Sequence, residues 1–576
     1  MAGLVTPTPP PLRDRRARAL AAVAVVLGAL GLSVVASWPL AWWSGQVFVS
    51  SPDMPDLNTA MWLPWHLSES LRLGHSPFDA PGLQYPYGQR ITLLVWNLGI
   101  QVLQLPLYWM LDPVRAYNLS LIALGAGNAL GGYAIGRALV PDGGRAPALA
   151  AAVLLVASPF AWNELAQGRA EQGFLGLFAL VIAATVHLHR DPDRRVAVLA
   201  GLAWGAAGLC YWFYGYFLVL VVGLVWVAAL GQRRLGVARA LALAGGVAAL
   251  VAAPAALLII VEAAASSSVY QVSQAPSADQ ARTLANVVNM ASLGLAHLSP
   301  WPLSPPDQLR EVVPMISMGV VLAAVVPGIG RRAWGMAALA ITGIVLALGP
   351  TLQWTPQVPV TVGAGSTLQM PLVVLQDVLP GFSRMWWPYR FQVFWVVGAA
   401  GCAAAVAALP RRGLVRWIVA GVLSLFALGE LRLAQSSTHG GLVWDAPVRV
   451  VATPFFDAVG ARPGEHPLLF LPYQAPSTGR VGWQMRHRQP MSIGLADSDD
   501  LLVPIAVQEA IDADPVLTWL KALGRRQTAG APPLTGTALR AHLKGLGFHY
   551  VVYWRAPPQP GQDALYKDVF GGAPDH

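Results

Sequence analysis

Long apolar stretches, separated by short basic and polar segments, dominate the chain. Eleven of them approach the length of about 20 apolar residues that crosses a bilayer as a helix. They cover residues 17–40, 116–139, 146–161, 173–188, 196–212, 214–230, 240–261, 312–329, 333–348, 391–409 and 414–433. This pattern predicts a polytopic α-helical membrane protein with about 11 transmembrane helices.

A twelfth stretch, residues 91–111, is more amphipathic, with Asn97, Gln101 and Gln104 among its apolar residues. If it does not span, the arginine clusters between the other stretches all lie on the cytoplasmic side. If it spans, every cluster after the first moves outside. The positive-inside rule favours the first arrangement. We therefore predict a helix in the outer interface, a cytoplasmic N-terminus and an extracytoplasmic C-terminus.

This topology places a long first loop, about residues 41–115, on the outer side. Beyond about residue 434 the composition becomes that of a soluble protein, with strand-like runs such as HPLLFLPY and helix-like runs such as VLTWLKALG. We predict a transmembrane domain over residues 1–433. Residues 434–576 are predicted to form an extracytoplasmic α/β or α+β domain, large enough to hold its own core.

Composition and charge narrow the function classes. Hydrophobic residues make up 55% and charged residues 12% of the chain, against about 25% charged in globular proteins. The net charge of +9 comes from dispersed clusters that fit membrane topology, so no nucleic-acid partner is predicted. Arginine far outnumbers lysine and alanine is abundant, which fits a GC-rich bacterium and hence its inner (plasma) membrane.

Several kinds of site are excluded or disfavoured by the motifs. None of the three lysines follows a glycine, so there is no GK[ST] phosphate-binding loop for ATP hydrolysis. Cys210 and Cys402 both lie in apolar stretches and indicate neither a disulfide framework nor a zinc site. The predicted spans carry almost no ionisable residues, which disfavours a proton-coupled transporter or a channel.

The acids Asp53 and Asp56 follow the first apolar stretch directly. A carboxylate at an apolar interface can have a raised pKa and accept a proton from a hydroxyl group. The alternative is a solvated loop or a helix N-cap, which the run Asp-Leu-Asn-Thr also suits. The residues alone leave both interpretations open.

Arg384 and Arg390 flank two tryptophans in the run GFSRMWWPYRFQVFW, at the outer end of a stretch. An arginine there can hold a phosphate bidentately while its neighbours contact a lipid chain. The alternative is an aromatic belt with two snorkelling arginines.

Together these features resemble the GT-C superfamily of integral-membrane glycosyltransferases, which use polyprenyl-phosphate-linked sugars. Asp56 and Trp62, followed by GHSPF and YPYG, are similar to the first outer loop of bacterial members. The segment SPFAWNELAQGRAEQ occupies the place of the second functional outer loop. LPGFSRMWWPYRF and the tail run HPLLFLPYQ are also similar to such proteins, in an uncharacterised bacterial subfamily.

The resemblance implies a GT-C-like fold and an inverting transfer of a sugar from a polyprenyl-phosphate donor to an extracytoplasmic glycan, lipid or protein acceptor. Some families carry two adjacent acids here, whereas Met54 and Pro55 separate the two in this chain, so either Asp56 or Asp53 aligns with the catalytic position. We expect no organic cofactor; some members use a divalent metal, but no ligand set is legible. The expected substrate-binding residues are Arg384, Arg390, Arg169, Glu171, Trp62, His75 and Tyr85.

Two other functions are compatible with the same residues. One is a non-enzymatic transporter or assembly scaffold for lipid-linked glycans, in which the tail does the work. The other is a degenerate relative that binds polyprenyl phosphate without catalysis. Replacing Asp53 and Asp56 by asparagine distinguishes a transferase from both, because only a transferase depends on the carboxylate.

Overall fold

The computed structural model describes residues 12–49, 55–92, 97–266, 315–326, 331–355, 358–363, 365–379, 382, 387–436, 448–449, 453–473, 480–495, 505–525, 530–553 and 562–571. Asp53 and Arg384 lie outside these residues, as do most of the loop 262–311 and parts of the tail.

The described residues are mostly helical. The helices are α1 (Leu12–Ala36), α2 (Leu40–Trp43), α3 (Pro55–Leu73), α4 (Leu98–Met110), α5 (Pro113–Leu139), α6 (Ala146–Val156), α7 (Pro159–Ala166), α8 (Ala170–Gly173), α9 (Gly176–Arg190), α10 (Arg194–Cys210), α11 (Trp212–Gly231), α12 (Leu235–Ser266), α13 (Met315–Val325), α14 (Arg331–Ala347), α15 (Pro371–Val378), α16 (Gln392–Ala408), α17 (Gly413–Ser436), α18 (Pro454–Gly460), α19 (Gln484–His487), α20 (Ile505–Ala513), α21 (Pro515–Gly524), α22 (Gly536–Gly545) and α23 (Gln562–Phe570).

Short antiparallel strand pairs connect the helices. They are β1 (Val47–Phe48) with β8 (Val448–Arg449), β2 (Asp79–Ala80) with β3 (Gln89–Arg90), β4 (Gln353–Thr355) with β5 (Val358–Pro359), and β6 (Thr361–Val362) with β7 (Ser366–Thr367). A parallel pair joins β9 (Leu468–Leu471) to β10 (Tyr550–Tyr553), with Leu468 opposite Tyr550.

The chain is a multi-pass membrane protein. Among the described residues, 7 helices are long and apolar enough to cross a membrane, and the pair α6 and α7, bent by 42°, adds an eighth if it is one span. Two shorter apolar helices, Met315–Val325 and Ala333–Ala347, fall on two further predicted stretches. Each of the eleven stretches thus contains a helix, while the count of eleven spans stays a prediction.

Helix α4 is the element formed by the amphipathic stretch 91–111. It has 13 residues, about 20 Å of helix, which is too short for a hydrocarbon core of about 30 Å. The buried side includes the polar residues Gln101 and Gln104, and Gln104 Nε2 donates to Ser120 Oγ at 2.8 Å. The opposite side exposes Val102 and Leu103. These features suit a helix in the interface better than a span.

Small residues allow the apolar helices to pack closely. A Cβ atom on Gly136 of α5 would lie 2.5 Å from the Cα of Ala148 in α6, so only glycine permits this approach. Close packing through small residues is the usual means of association between helices in a bilayer, where apolar burial gives no driving force. Helices α5 and α6 therefore pack with their backbones in close contact.

The tail shares a hydrophobic core with the first outer loop. One buried cluster includes Leu517 and Phe548, both of the tail. A second joins Trp62 and Leu83 of the first loop to Phe470 of β9. The boundary between a transmembrane domain and a tail domain at residues 433 and 434 stays a prediction. The shared cluster means that part of the tail's hydrophobic core comes from the first loop.

Candidate functional site

Asp56 lies in the first turn of α3, immediately after Pro55. A proline in the first turn costs no hydrogen bond, and a carboxylate at a helix N-terminus is stabilised by the helix dipole. The Asp56 side chain is 54% exposed. The structure therefore presents an accessible carboxylate at the start of α3.

The segment Gln167–Arg169 packs directly against the start of α3. Gly168 has φ of +87°, and a Cβ atom there would lie 2.3 Å from the Leu57 nitrogen. A side chain would be strained by the backbone conformation and would collide with α3. This contact joins the first outer loop to the second.

Arg169 connects Asp56 to a buried acid. Its Nη1 donates to Asp56 Oδ2 at 3.0 Å and its Nε donates to Glu164 Oε2. The Glu164 side chain is 0% exposed, and Asn163 Nδ2 donates to its Oε1 at 3.1 Å. Burial opposes the charge of Arg169, but attraction to Glu164 and then Asp56 outweighs it and raises the Arg169 pKa above its ordinary value. A buried charge is retained only with such a partner.

Glu171 is the third carboxylate of this region, after Asp56 and Glu164. Asn97, just before α4, donates from Nδ2 to Glu171 Oε2 at 3.2 Å, and Gln101 donates to Asn97 Oδ1 at 3.0 Å. Glu171 lies in the single turn α8, two residues after Arg169. We call Asp56, Glu164, Arg169, Glu171 and Asn97 the Asp56 cluster.

Arg390 lies in the single turn Pro388–Phe391 before α16, and it is only 8% exposed. Its guanidinium carbon is 4.4 Å from the ring centre of Trp387, 4.8 Å from Phe213 and 5.6 Å from Tyr211. These three rings form an aromatic box that holds the cation by cation–π attraction. Among the described residues, no hydrogen-bond partner approaches Arg390 Nε.

The neighbouring Tyr389 fixes this turn to the Asp56 cluster. Its hydroxyl donates to Gln172 Oε1 at 3.1 Å, and the Tyr214 hydroxyl donates to the Gln172 carbonyl. Gln172 directly follows Glu171 in α8. The structure therefore brings Asp56, Arg169, Glu171 and Arg390 into one region.

The remaining expected substrate-binding residues lie elsewhere. Trp62 is buried, stacks on His66 with ring centres 4.6 Å apart, and donates from Nε1 to Gln484 Oε1 at 2.8 Å. Burial lowers the pKa of His66 to about 4, so this ring is neutral at physiological pH. Trp62 thus contacts the tail.

His75 and Tyr85 belong to the segment after α3. His75 is exposed, and its backbone N–H donates to the Ser70 carbonyl at 2.9 Å. Tyr85 packs edge-on against Phe548 of the tail, with ring centres 5.6 Å apart. Both residues lie outside the Asp56 cluster, whereas Asp53 and Arg384 lie outside the described residues.

Three contributors to the site were not among the expected residues: Glu164, Asn97 and Gln172. Glu164 carried a usable signal, because an acid inside an otherwise apolar helix is costly unless it has a role. Asn97 and Gln172 are neutral and carried no comparable signal. Among the described residues, no three His, Cys, Asp or Glu side chains are placed to hold a metal ion, so we derive no step through a metal.

Comparison with known proteins gives structural similarity only. No protein-family model matches the chain, and no curated protein matches its sequence. The oligosaccharyltransferase of Archaeoglobus fulgidus in its apo form is 13% identical with a TM-score of 0.48, over 87% of this chain and 71% of that one. The same organism's oligosaccharyltransferase AglB, in complex with an inhibitory peptide and a dolichol-phosphate, is 13% identical with a TM-score of 0.46, over 88% and 71%.

ArnT from Cupriavidus metallidurans, bound to undecaprenyl phosphate, is 15% identical with a TM-score of 0.44, over 86% of this chain and 88% of that one. Because each of these TM-scores is below 0.5, we draw no conclusion from them.

Proposed function

We propose that this chain is an inverting membrane glycosyltransferase that moves a sugar from a polyprenyl-phosphate donor to an acceptor hydroxyl outside the membrane. The observation that carries the proposal is the Asp56 carboxylate. It is accessible, yet Arg169 fixes its position and is itself anchored on the buried Glu164. A carboxylate that is accessible and held in place in this way suits a general base.

The reaction that fits this arrangement is a single displacement. Asp56 accepts the proton of the acceptor hydroxyl while the hydroxyl oxygen attacks the anomeric carbon of the sugar. The bond between that carbon and the phosphate oxygen breaks, and its electron pair leaves with polyprenyl phosphate. One displacement inverts the configuration at the anomeric carbon, and no nucleotide is needed on the outer side.

Arg390 is the proposed contact to the donor phosphate. Its guanidinium is preorganised by the aromatic box, and charge-assisted hydrogen bonds to a phosphate are stronger than neutral ones. Trp387, the half-buried ring of the box, also offers an apolar surface to the isoprenoid chain. Arg384, six residues earlier, is proposed as a second phosphate contact. We assign Arg169 to the positioning of Asp56, because two carboxylates already occupy its donors.

The proposal includes a location. The protein would lie in a bacterial inner membrane with its N-terminus in the cytoplasm, and residues 434–576 would lie in the periplasm and bind the acceptor or restrict access to the site. Membrane lipids surround the exposed apolar side chains of α12, among them Leu250 and Leu257.

The test is glycosyl transfer in membranes that contain wild-type protein or variants, supplied with a panel of radiolabelled polyprenyl-phosphate sugars. We expect Asp56→Asn to lower transfer on the order of 10²- to 10⁴-fold, the usual contribution of a general base. Asp79→Asn is the matched control, because Asp79 is an exposed acid of the same loop outside the Asp56 cluster. Asp53→Asn is measured in parallel, since either acid fits the catalytic position.

A second measurement separates binding from transfer. Wild type and Asp56→Asn should bind polyprenyl phosphate equally, whereas Arg390→Ala should bind it more weakly. If folded wild-type protein transfers no sugar from any donor, and the aspartate variants bind lipid as wild type does, the catalytic proposal is wrong. A transporter or scaffold for lipid-linked glycans would then be the better interpretation.

A further inference from the structure

A cavity lies at the end of α3 that is remote from Asp56. Its volume is about 310 Å³, and its walls come from α3, the end of α4, the start of α5 and the tail residues Met485 and Arg488. Cavities that hold small ligands measure about 300–1,000 Å³. The cavity is therefore large enough for a ligand of a few rings.

This cavity is separate from the Asp56 cluster. Glu69, in its wall, follows Asp56 by 13 residues on the same helix, which is about 20 Å along the helix axis. None of the cluster residues lines it. A ligand here would not contact the proposed base.

The charged residues in the wall balance one another. Glu69 pairs with Arg72 at 3.3 Å and with Arg488 at 3.8 Å. The other acid, Asp112, caps α5 by accepting from the Arg115 N–H at 3.0 Å, and it pairs with the Arg115 side chain at 3.8 Å. Each charged group of the wall is thus already paired, so the wall offers hydrogen-bond donors and acceptors without an unpaired charge. This favours a neutral polar ligand over a phosphate.

Aromatic residues complete the wall. Trp65, Tyr108 and Trp109 line the cavity, and Trp109 is 49% exposed. Among the described residues, the buried Tyr108 hydroxyl has no hydrogen-bond partner. A sugar ring has an apolar face of C–H groups that stacks on aromatic rings, and hydroxyls that pair with carboxylates and guanidinium groups. The combination of rings with balanced charges matches that chemistry.

We propose that this cavity binds a neutral saccharide unit, at a site distinct from the one around Asp56. The inference goes beyond the proposed function and does not depend on it, because binding here requires no transfer. A glycan held at this point would be anchored on the outer surface by the first loop and the tail together, since Arg488 of the tail closes the cavity against α3.

The experiment measures saccharide binding to the purified full-length chain in lipid nanodiscs. Saturation-transfer difference NMR screens neutral mono- and disaccharides, and isothermal titration gives the affinity of the best one. Trp109→Ala removes the stacking ring, and Glu69→Gln removes both ion pairs while keeping the side-chain shape. We expect each variant to weaken binding on the order of tenfold.

Two controls make the result specific. Trp417→Ala removes a tryptophan that is also 49% exposed but lies on α17, away from the cavity, and should leave binding unchanged. Asp56→Asn should also leave it unchanged, so a failure of the proposed transferase activity and a failure of this site give different results. If Trp109→Ala does not yield folded protein, Glu69→Gln carries the test.

Three outcomes would overturn the inference. One is that no neutral saccharide binds the wild-type chain. Another is that a saccharide binds but neither Trp109→Ala nor Glu69→Gln weakens it. The third is that glycerophosphocholine or glycerophosphoethanolamine binds, with sensitivity to both substitutions, while saccharides do not. That result would assign the cavity to a lipid head group instead.

Discussion

Helix α3 carries a group of ion pairs at each end, and the two groups differ in how deeply their charges are buried. At its start, Arg169 is 14% exposed and pairs with the fully buried Glu164. At its end, Arg72 is 49% exposed and pairs with Glu69, which is 21% exposed. The first group is tied to the apolar helices through α7, whereas the second lies between outer segments.

This difference has an energetic consequence. A buried charge that loses its partner is left without solvation, whereas an exposed charge regains water. The start of α3 is therefore a place where geometry is strictly fixed, as a base requires. The end of α3 can adjust, as a binding cavity can.

The largest expected effect comes from removing the buried cation. Arg169→Met leaves Glu164 buried and unpaired, which should lower the free energy of unfolding by about 3–5 kcal/mol. Denaturant titration in detergent micelles measures it. Adding Glu164→Gln to the same chain removes the orphaned charge and should recover part of the loss. A loss under about 1 kcal/mol for Arg169→Met would contradict the anchoring of Asp56 through a buried pair.

The next effect tests the packing of α19 (Gln484–His487), the tail helix whose Gln484 accepts a hydrogen bond from Trp62 of α3. His487 is fully buried, and burial lowers its pKa from 6.5 to about 4. The unfolded chain therefore binds a proton that the folded chain does not between pH 6.5 and pH 4, and stability should fall as the pH falls through that window. The loss from His487 alone should reach about 3 kcal/mol at pH 4, and His66, whose pKa is lowered to about 4 in the same way, should add a similar amount.

His487→Asn is the matched variant for that measurement, because asparagine does not titrate but can still accept the hydrogen bond from the Gln489 N–H. Melting temperatures from pH 7.5 to pH 4.5 should fall less steeply in the variant than in wild type. Equal slopes would show that another group controls the acid response.

A smaller difference in stability is expected between substitutions of the two glycines at the ends of α3. Gly168 and Gly74 both have positive φ, +87° and +68°, but only Gly168 has backbone atoms where a Cβ would lie. Gly168→Ala should destabilise the protein by about 1–3 kcal/mol more than Gly74→Ala, because only the former adds a steric clash to the backbone strain. Thermal unfolding of both variants gives the difference, and glycosyl transfer should fall only in Gly168→Ala.

The smallest effect is that of salt on the exposed pair. Arg72→Met should cost less than about 1 kcal/mol at low salt, and this cost should shrink further in 1 M NaCl, where the screening length is about 3 Å. The cost of Arg169→Met should change little between the two salt concentrations, since buried pairs are screened less. Unfolding free energies of both variants, each measured in both buffers, test the two expectations together. A strongly salt-sensitive cost of Arg169→Met would mean that the exposed pair with Asp56, and not the buried pair with Glu164, provides most of the stabilisation.

The sequence by itself determined the membrane character of the chain and the positions of the apolar helices. The transfer of apolar side chains out of water depends on local composition, so each of the eleven stretches could be read without knowing its neighbours. The same holds for α4, where Gln101 and Gln104 marked a polar side on a short helix. The residue types and the family resemblance also identified four candidate site residues: Asp56, Arg169, Glu171 and Arg390.

Only the tertiary structure decided which of these residues meet. Arg169 and Asp56 are 113 positions apart, and no local pattern states that Gly168 allows their loops to touch. Trp62 lies six residues after Asp56, but its indole N–H donates to Gln484, 422 positions away in the chain. Contacts of this range depend on how the helices pack and on which buried polar atoms still need a partner. The need to pair buried polar atoms explains why Glu164 lies against Arg169 and why the tail packs on α3. The hydrophobic pattern along the chain does not contain this information.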